Sequence, residues 1–130
     1  MNFEIHHFAY LTENIDLSVK EMNSFGFELE GPIFEISAQK VSVCFLKNSN
    51  NIRYELVRPF DDNISLKRLI AKGVTLYHTG YSVRSIKESA NYLRDKGFYQ
   101  VNMFTSEAFN GNKCAFFISS TNNLIELIEQ

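Results

Sequence analysis

The sequence predicts an α+β fold built from two tandem βαβββ modules. Strand-like and helix-like segments alternate along the 130 residues, and the alternation starts again about halfway. A chain of this length with 45% hydrophobic residues is enough for one compact domain. We therefore expect a single domain with module 1 at about 1–60, a linker helix at 61–75 and module 2 at about 76–130.

Module 1 begins with a strand that is followed by a capped helix. Asn14 is a suitable N-cap for a helix from Ile15 to about Phe25, and Gly26 ends it. Leu17, Met22 and Phe25 are its predicted apolar stripe. The other elements up to the linker are predicted at 3–12 (strand), 27–36 (extended, broken by Gly31-Pro32), 41–46 and 52–57 (a hairpin ended by Pro59) and 65–71 (a short helix).

Module 2 repeats this order of elements. Ser85 caps a helix that runs to about Lys96, and Gly97 ends it. The other elements are predicted at 76–83 (strand), 98–104 (extended), 105–112 (loop), and 113–118 and 124–128 (a second hairpin).

An ungapped shift of 71 residues tests the recurrence. It produces eleven identities over residues 5–58, where chance gives roughly three. The identical pairs are His7/His78, Tyr10/Tyr81, Ile15/Ile86, Ser18/Ser89, Gly26/Gly97, Phe27/Phe98, Phe45/Phe116, Ser49/Ser120, Asn51/Asn122, Glu55/Glu126 and Leu56/Leu127. The matches include turns, caps and ionisable residues, so we interpret the chain as an internal duplication.

Composition excludes several classes of function. The net charge is −2 and no basic block is present, which argues against nucleic-acid binding. No apolar run reaches 18 residues, so we expect no membrane-spanning segment and no membrane partner. We also expect no secretory signal, because Met1-Asn2-Phe3-Glu4 contains no basic region followed by an apolar stretch. Cys44 and Cys114 lie in strand-like runs, which indicates buried free thiols and a cytoplasmic location.

Each module offers a His in its first strand and a Glu in its last. The separation is 48 residues both from His7 to Glu55 and from His78 to Glu126. Strand alternation places these side chains on the face opposite the aromatic residues, which suit packing under the helices. Two imidazoles and two carboxylates favour one divalent ion, namely Co, Ni, Zn, Mn or Fe, over calcium or a structural zinc site.

Such an ion suits chemistry at a carbonyl. Four protein ligands on a six-coordinate ion leave two positions for water or substrate oxygens, and a polarised carbonyl loses an adjacent proton more easily. A Glu beside the ion can move that proton. Arg53, two residues before Glu55 on the same strand face, is a candidate substrate-binding residue, whereas His6 is expected to pack or cap.

The motifs resemble those of the vicinal oxygen chelate superfamily, which includes glyoxalase, bleomycin resistance and dioxygenase proteins. The resemblance covers nearly the whole chain and rests on His7-Phe-Ala-Tyr-Leu, Tyr77-His78-Thr-Gly-Tyr-Ser-Val, Tyr54-Glu55-Leu-Val-Arg-Pro59 and Leu124-Ile-Glu126-Leu127. It implies a cupped eight-stranded mixed sheet with helices on the outer face. It also implies a metal held by His7, Glu55, His78 and Glu126, and it implies a homodimer.

Within the superfamily, the order of elements is most similar to the methylmalonyl-CoA epimerase family. The resemblance implies an epimerase or isomerase of a 2-substituted acyl thioester, with Glu126 removing the α-proton and Glu55 or a second base returning it. The loop Glu107–Lys113 departs from the family, because it holds Phe109-Asn110-Gly111 where epimerases tend to carry a His-Gly stretch. Lactoylglutathione lyase activity is the main alternative, and an extradiol-type dioxygenase or a metal-free binding protein are further ones.

Overall fold

The chain folds into ten β-strands and three α-helices, an α+β arrangement as predicted. The computed structural model describes residues 1–130. The strands are β1 (Glu4–Leu11), β2 (Glu28–Leu29), β3 (Phe34–Ile36), β4 (Val41–Lys47), β5 (Arg53–Pro59), β6 (Leu76–Val83), β7 (Tyr99–Gln100), β8 (Phe104–Ser106), β9 (Asn112–Ile118) and β10 (Leu124–Glu129). The helices are α1 (Ile15–Asn23), α2 (Ile64–Ala71) and α3 (Ile86–Asp95), with single 3₁₀ turns at Ser37–Gln39 and Glu107–Phe109. None of these helices is both long and apolar enough to cross a membrane.

Contacts divide the chain into two compact units. The first unit is His7–Tyr77, and the second unit combines Met1–His6 with His78–Gln130.

The first unit contains a mixed sheet in the order β2-β4-β5-β1, with β3 also paired to β4. The pair β1 and β5 is parallel, and the pairs β4–β5, β2–β4 and β3–β4 are antiparallel. The turn between β4 and β5 reverses at Asn51, whose φ of 62° is a left-handed conformation that asparagine tolerates.

The second unit repeats this pattern. Its order is β6-β10-β9-β7, and β8 also pairs with β9. Again the pair that contains the first and last strands, β6 and β10, is parallel and the other pairs are antiparallel. The reversal between β9 and β10 uses Asn122 at φ 64°, the residue that the 71-residue shift matches to Asn51.

The number of strands is ten rather than the expected eight. In the first unit the extended segment 27–36 breaks at Gly31-Pro32 and forms two short strands that pair with different parts of β4. Proline has no backbone N–H and fixes its φ, so a continuous strand cannot run through it. Residues 98–106, which contain no proline, also break into two short strands, β7 and β8, which both pair with β9.

Each unit has an apolar core on the helix side of its sheet. In the first unit α1 packs on β4 and β5 through Ile15, Val19 and Met22, together with Cys44 and Leu56. In the second unit the members are Val83, Ile86, Ala90, Leu93, Ala115, Phe117 and Leu127, with Phe3, Tyr81, Phe98 and Ile125 packed against them. The predicted aromatic and aliphatic faces of the strands therefore do lie under the helices.

The predicted stripe of α1 is wrong in two of its three members. Leu17 is 54% exposed and Phe25 is 81% exposed, whereas Met22 packs in the core. The observed stripe is Ile15, Val19 and Met22, at i, i+4 and i+7, which is the spacing of one helical face. Phe25 lies beyond the end of the helix at Asn23, so helical periodicity does not apply to it.

Candidate metal centre

The first unit brings His7 and Glu55 into contact. Ala9 on β1 pairs with Glu55 on β5, and alternation along β1 puts His7 on the same face as Ala9. The distance between His7 Nε2 and Glu55 Oε1 is 3.3 Å. His7 is 0% exposed and Glu55 is 4% exposed, so both ionisable groups are withdrawn from solvent.

The second unit contains the same pair in the same arrangement. Gly80 on β6 is opposite Glu126 on β10, and His78 precedes Gly80 by two residues on the same face. The distance between His78 Nε2 and Glu126 Oε1 is again 3.3 Å, and both residues are 4% exposed. Each unit thus brings together the His and the Glu that the sequence predicted for it.

A phenylalanine lies beside each pair. Phe45 is opposite Glu55 in the ladder, and its ring meets the His7 ring edge to face at 5.7 Å between centroids. Phe116 is opposite Glu126, and its ring meets the His78 ring at 5.0 Å. These rings hold each imidazole in place and exclude water from one side of it. Phe45 and Phe116 are identical under the repeat, so the sequence contains a signal for these two neighbours of the site.

The donors of each unit suit a divalent metal ion. In the first unit His7 and Glu55 each offer one buried ligand atom, and in the second unit His78 and Glu126 do the same. Burying a carboxylate is costly unless a cation or hydrogen-bond donor compensates its charge. Imidazole and carboxylate together suit Zn, Co, Ni, Mn or Fe. Each histidine directs its Nε2 towards the carboxylate oxygen of its partner, so the two donor types are adjacent in both units.

The cysteines do not belong to this donor set. Both are free and buried, as predicted. Cys44 packs with Ile15, Leu46 and Leu56 on the helix side of the sheet, and burial raises its thiol pKa to about 11. A thiol with so high a pKa is a poor metal ligand, because metals bind the thiolate.

Arg53 forms an ion pair with Glu30, a residue that the sequence patterns did not single out. Its Nε lies 2.6 Å from Glu30 Oε1, and one of its terminal nitrogens donates to Glu30 Oε2 at 3.1 Å. Lys47 Nζ also lies 3.2 Å from Glu30 Oε2. The hydrogen bond from Arg53 lowers the pKa of the Glu30 carboxyl, partial burial opposes this, and Lys47 adds to the lowering. Substrate binding by Arg53 stays a prediction.

His6 packs, as expected. In the second unit its ring meets that of Phe109 edge to face at 5.4 Å. Phe109 belongs to the loop Glu107–Lys113 and is buried.

Sequence comparison gives the family. Residues 6–116 match the family model described as the Glyoxalase/Bleomycin resistance protein/Dioxygenase superfamily. The chain belongs to this superfamily. The match includes His7, Glu55 and His78 and ends before Glu126. A comparison with curated proteins found no match.

Several solved structures resemble the fold of this chain over nearly all of its length. A hypothetical protein from Bacillus halodurans C-125 has a TM-score of 0.84 at 22% identity, covering 100% of this chain and 96% of that one. Methylmalonyl-CoA epimerase from Mycobacterium tuberculosis has a TM-score of 0.82 at 18% identity, covering 97% and 87%. A variant of the Streptomyces coelicolor methylmalonyl-CoA epimerase, in complex with 2-nitronate-propionyl-CoA, has a TM-score of 0.79 at 20% identity, covering 98% and 96%. Likeness at these identities establishes the fold.

Proposed function

We propose that this superfamily member is a metal-dependent epimerase or isomerase that moves the α-proton of an acyl thioester. The observation that carries the proposal is the buried His–Glu pair at equivalent positions of the two units. The names of two structural neighbours, both methylmalonyl-CoA epimerases, support the thioester as the substrate class.

Epimerisation needs two proton-transfer groups, because the proton leaves one face of the carbon and returns to the other. The duplication supplies two equivalent carboxylates. In the proposal, the Glu126 carboxylate accepts the α-proton and Glu55, in its protonated carboxylic acid form, returns a proton to the opposite face. Each turnover therefore exchanges the protonation states of the two groups. The aromatic rings of Phe45 and Phe116 limit the access of water, which would compete for these protons.

The four residues His7, Glu55, His78 and Glu126 would hold the metal ion. A divalent ion bound there would polarise the thioester carbonyl and lower the energy of the enolate. Each imidazole would contribute one ring nitrogen to the ion, and its phenylalanine neighbour holds the ring in orientation.

Metal analysis tests whether the two pairs act together. We expect one divalent ion per chain after reconstitution with Co, Ni, Zn, Mn or Fe, and we expect His7→Ala and His78→Ala each to abolish binding completely. Replacement of exposed Glu35 by Gln is the matched control and should leave the content at one. Two ions per chain, or loss of only half the metal in each variant, would show that the pairs bind separately.

Proton exchange tests the reaction. Incubation of methylmalonyl-CoA with the metal-loaded protein in D₂O should place deuterium at the α-carbon. Glu126→Gln should slow this exchange by about 10²–10⁴-fold, the range of a lost general base, while Glu35→Gln should not change it. No exchange by the metal-loaded protein would contradict the proposal. If the protein instead converts methylglyoxal in the presence of glutathione, its activity is that of a lactoylglutathione lyase.

The homodimer and the cytoplasmic location stay predictions. Sedimentation velocity of the purified protein decides the first, with a mass of twice 15.0 kDa expected.

A further inference from the structure

Val101 is the last of three residues that lie side by side across the sheet, starting from the candidate metal ligand Glu126. Within the second unit, Glu126 on β10 is opposite Phe116 on β9. The backbone N–H of Val101 then donates to the carbonyl of Phe116 at 2.8 Å, just beyond the β7–β9 ladder. Val101 therefore lies two strands away from Glu126, which corresponds to about 10 Å across the sheet.

The first unit has the same row with a different last residue. Glu55 is opposite Phe45, and the backbone N–H of Glu30 donates to the Phe45 carbonyl at 2.9 Å. Glu30 is the residue that the 71-residue shift matches to Val101. In the first unit this position carries a carboxylate that binds Arg53 and Lys47, whereas in the second unit it carries an aliphatic side chain.

The segment around Val101 is exposed and carries no charged residue. Tyr99 is 70% exposed, Val101 51% and Met103 53%, and the three alternate with Gln100 and Asn102 along the chain. Residues 98–106 contain no Asp, Glu, Lys or Arg, whereas the matching residues 27–35 contain Glu28, Glu30 and Glu35. Edge strands are ordinarily protected by charges, and β7 is the last strand of its unit. An exposed apolar cluster of this kind indicates a binding surface.

Phe116 lies between this apolar segment and the candidate metal centre. Its ring contacts the His78 ring, and the Phe104 ring stacks on it at 5.6 Å between centroids. Its backbone carbonyl accepts from the N–H of Val101, so Phe116 on β9 separates His78 from the edge at Val101. The segments 98–106 and 114–118 contain no charged side chain.

We propose that Tyr99, Val101 and Met103 form a subsite for the thiol-side arm of a thioester whose reacting carbonyl lies at Glu126. The inference rests on the proposed function and adds to it the side of the molecule on which the arm lies. The arm is an extended aliphatic chain about 10 Å long, the distance from Glu126 to the edge. The charged position of Glu30 in the first unit does not suit such an arm, because its carboxylate and the two cations would lose hydration.

A series of probes of increasing length tests the subsite. Propionyl thioesters of N-acylcysteamines, with N-acyl groups from acetyl to hexanoyl, are titrated calorimetrically into the metal-loaded protein. Burial of each added methylene should raise the affinity by roughly two- to fourfold. Val101→Glu, which installs the residue of the first unit, should abolish this dependence on chain length. Leu17→Glu, at a position 54% exposed on α1, is the control and should leave it intact.

The outcomes are distinguishable from failure of the proposed function. A chain-length dependence that is equal in wild type and Val101→Glu, or absent in wild type, overturns the subsite. The subsite is also overturned if Val101→Glu changes the sedimentation coefficient but not the chain-length dependence, which would assign the surface to contact with a second copy. Persistence of the dependence together with no α-proton exchange would support the subsite and overturn only the epimerase activity.

Discussion

The thiol of Cys44 lies among apolar side chains, and its reactivity follows from that environment. Burial is the largest cause of the rise of its pKa to about 11, and the nearby charges of Glu55 and Asp16 add to it. Almost no thiolate is present at neutral pH, so we expect Cys44 to resist iodoacetamide in the folded protein and to react in urea. Peptide mass spectrometry measures the modification. Rapid labelling of Cys44 under native conditions would contradict the assigned environment.

Glu30 gives a pH-dependent contribution to stability. Its pKa in the folded protein is below the ordinary value of 4.5, mainly because Arg53 donates to the carboxylate. On acidification, the Glu30 carboxylate of the unfolded chain therefore binds its proton at a higher pH than that of the folded chain. The stabilisation is present above pH 4.5 and is lost as the pH falls through the lower, folded-state pKa.

The corresponding variant is Glu30→Gln. Because the pair is partly exposed and screened, we expect it to lower the free energy of unfolding by less than about 1 kcal/mol at pH 7. Urea titrations at pH 7 and at pH 3 should show the difference from wild type shrinking in acid. A difference that grows on acidification would exclude the ion pair as its source.

The residues of the candidate site were predictable to different extents. His7 and Glu55 could be assigned to one face because strand alternation has a period of two and the repeat presents the same pair again. The contact between Arg53 and Glu30 could not, because the repeat does not present this pair again: Glu30 matches Val101, and Arg53 matches Leu124. Which side chain reaches Arg53 depends on how the chain bends at Gly31-Pro32, and no local pattern encodes that bend.

At the scale of elements, helix starts were easier to predict than helix ends and helix faces. Asn14 and Ser85 cap α1 and α3 as expected, accepting from Leu17 N at 3.0 Å and Glu88 N at 3.2 Å. These signals are local, because a cap bonds to a backbone group three residues away. Predicting the apolar face of α1 required knowing where the helix ends. The predicted end lay two residues too far along the chain, so the exposed Phe25 was predicted to be a core residue.

Phe117 and Phe25 allow a direct test of which aromatic side chains are packed in the core. Phe117 on β9 is 0% exposed in the core of the second unit, whereas Phe25 is 81% exposed. We expect Phe117→Ala to cost about 3–5 kcal/mol of unfolding free energy and Phe25→Ala to cost less than about 0.5 kcal/mol. Chemical denaturation measures both. If Phe117→Ala does not fold, Phe117→Leu should still show a clear loss, and equal effects at the two positions would contradict the packing.

At the scale of the whole molecule, the proposed ion links ligand binding to stability. An ion that binds only the folded chain stabilises it by about 2.7 kcal/mol at one hundred times its Kd. We expect the melting temperature to rise on addition of Co, Ni, Zn or Mn to chelator-treated protein and to fall again with EDTA. The His7→Ala and His78→Ala variants should show no such rise, and an equal rise in them would place the ion elsewhere.

The assignment of Met1–His6 to the second unit has a consequence for any attempt to divide the protein. Phe3 packs on Tyr81 and Tyr92, at 6.2 and 5.9 Å between ring centroids, although about eighty residues separate them. A fragment cut where the duplication restarts would lack this ring and leave both tyrosines uncovered. Proteolytic trimming at the amino terminus should therefore loosen the carboxy-terminal half of the chain first, and hydrogen exchange in α3 would report it.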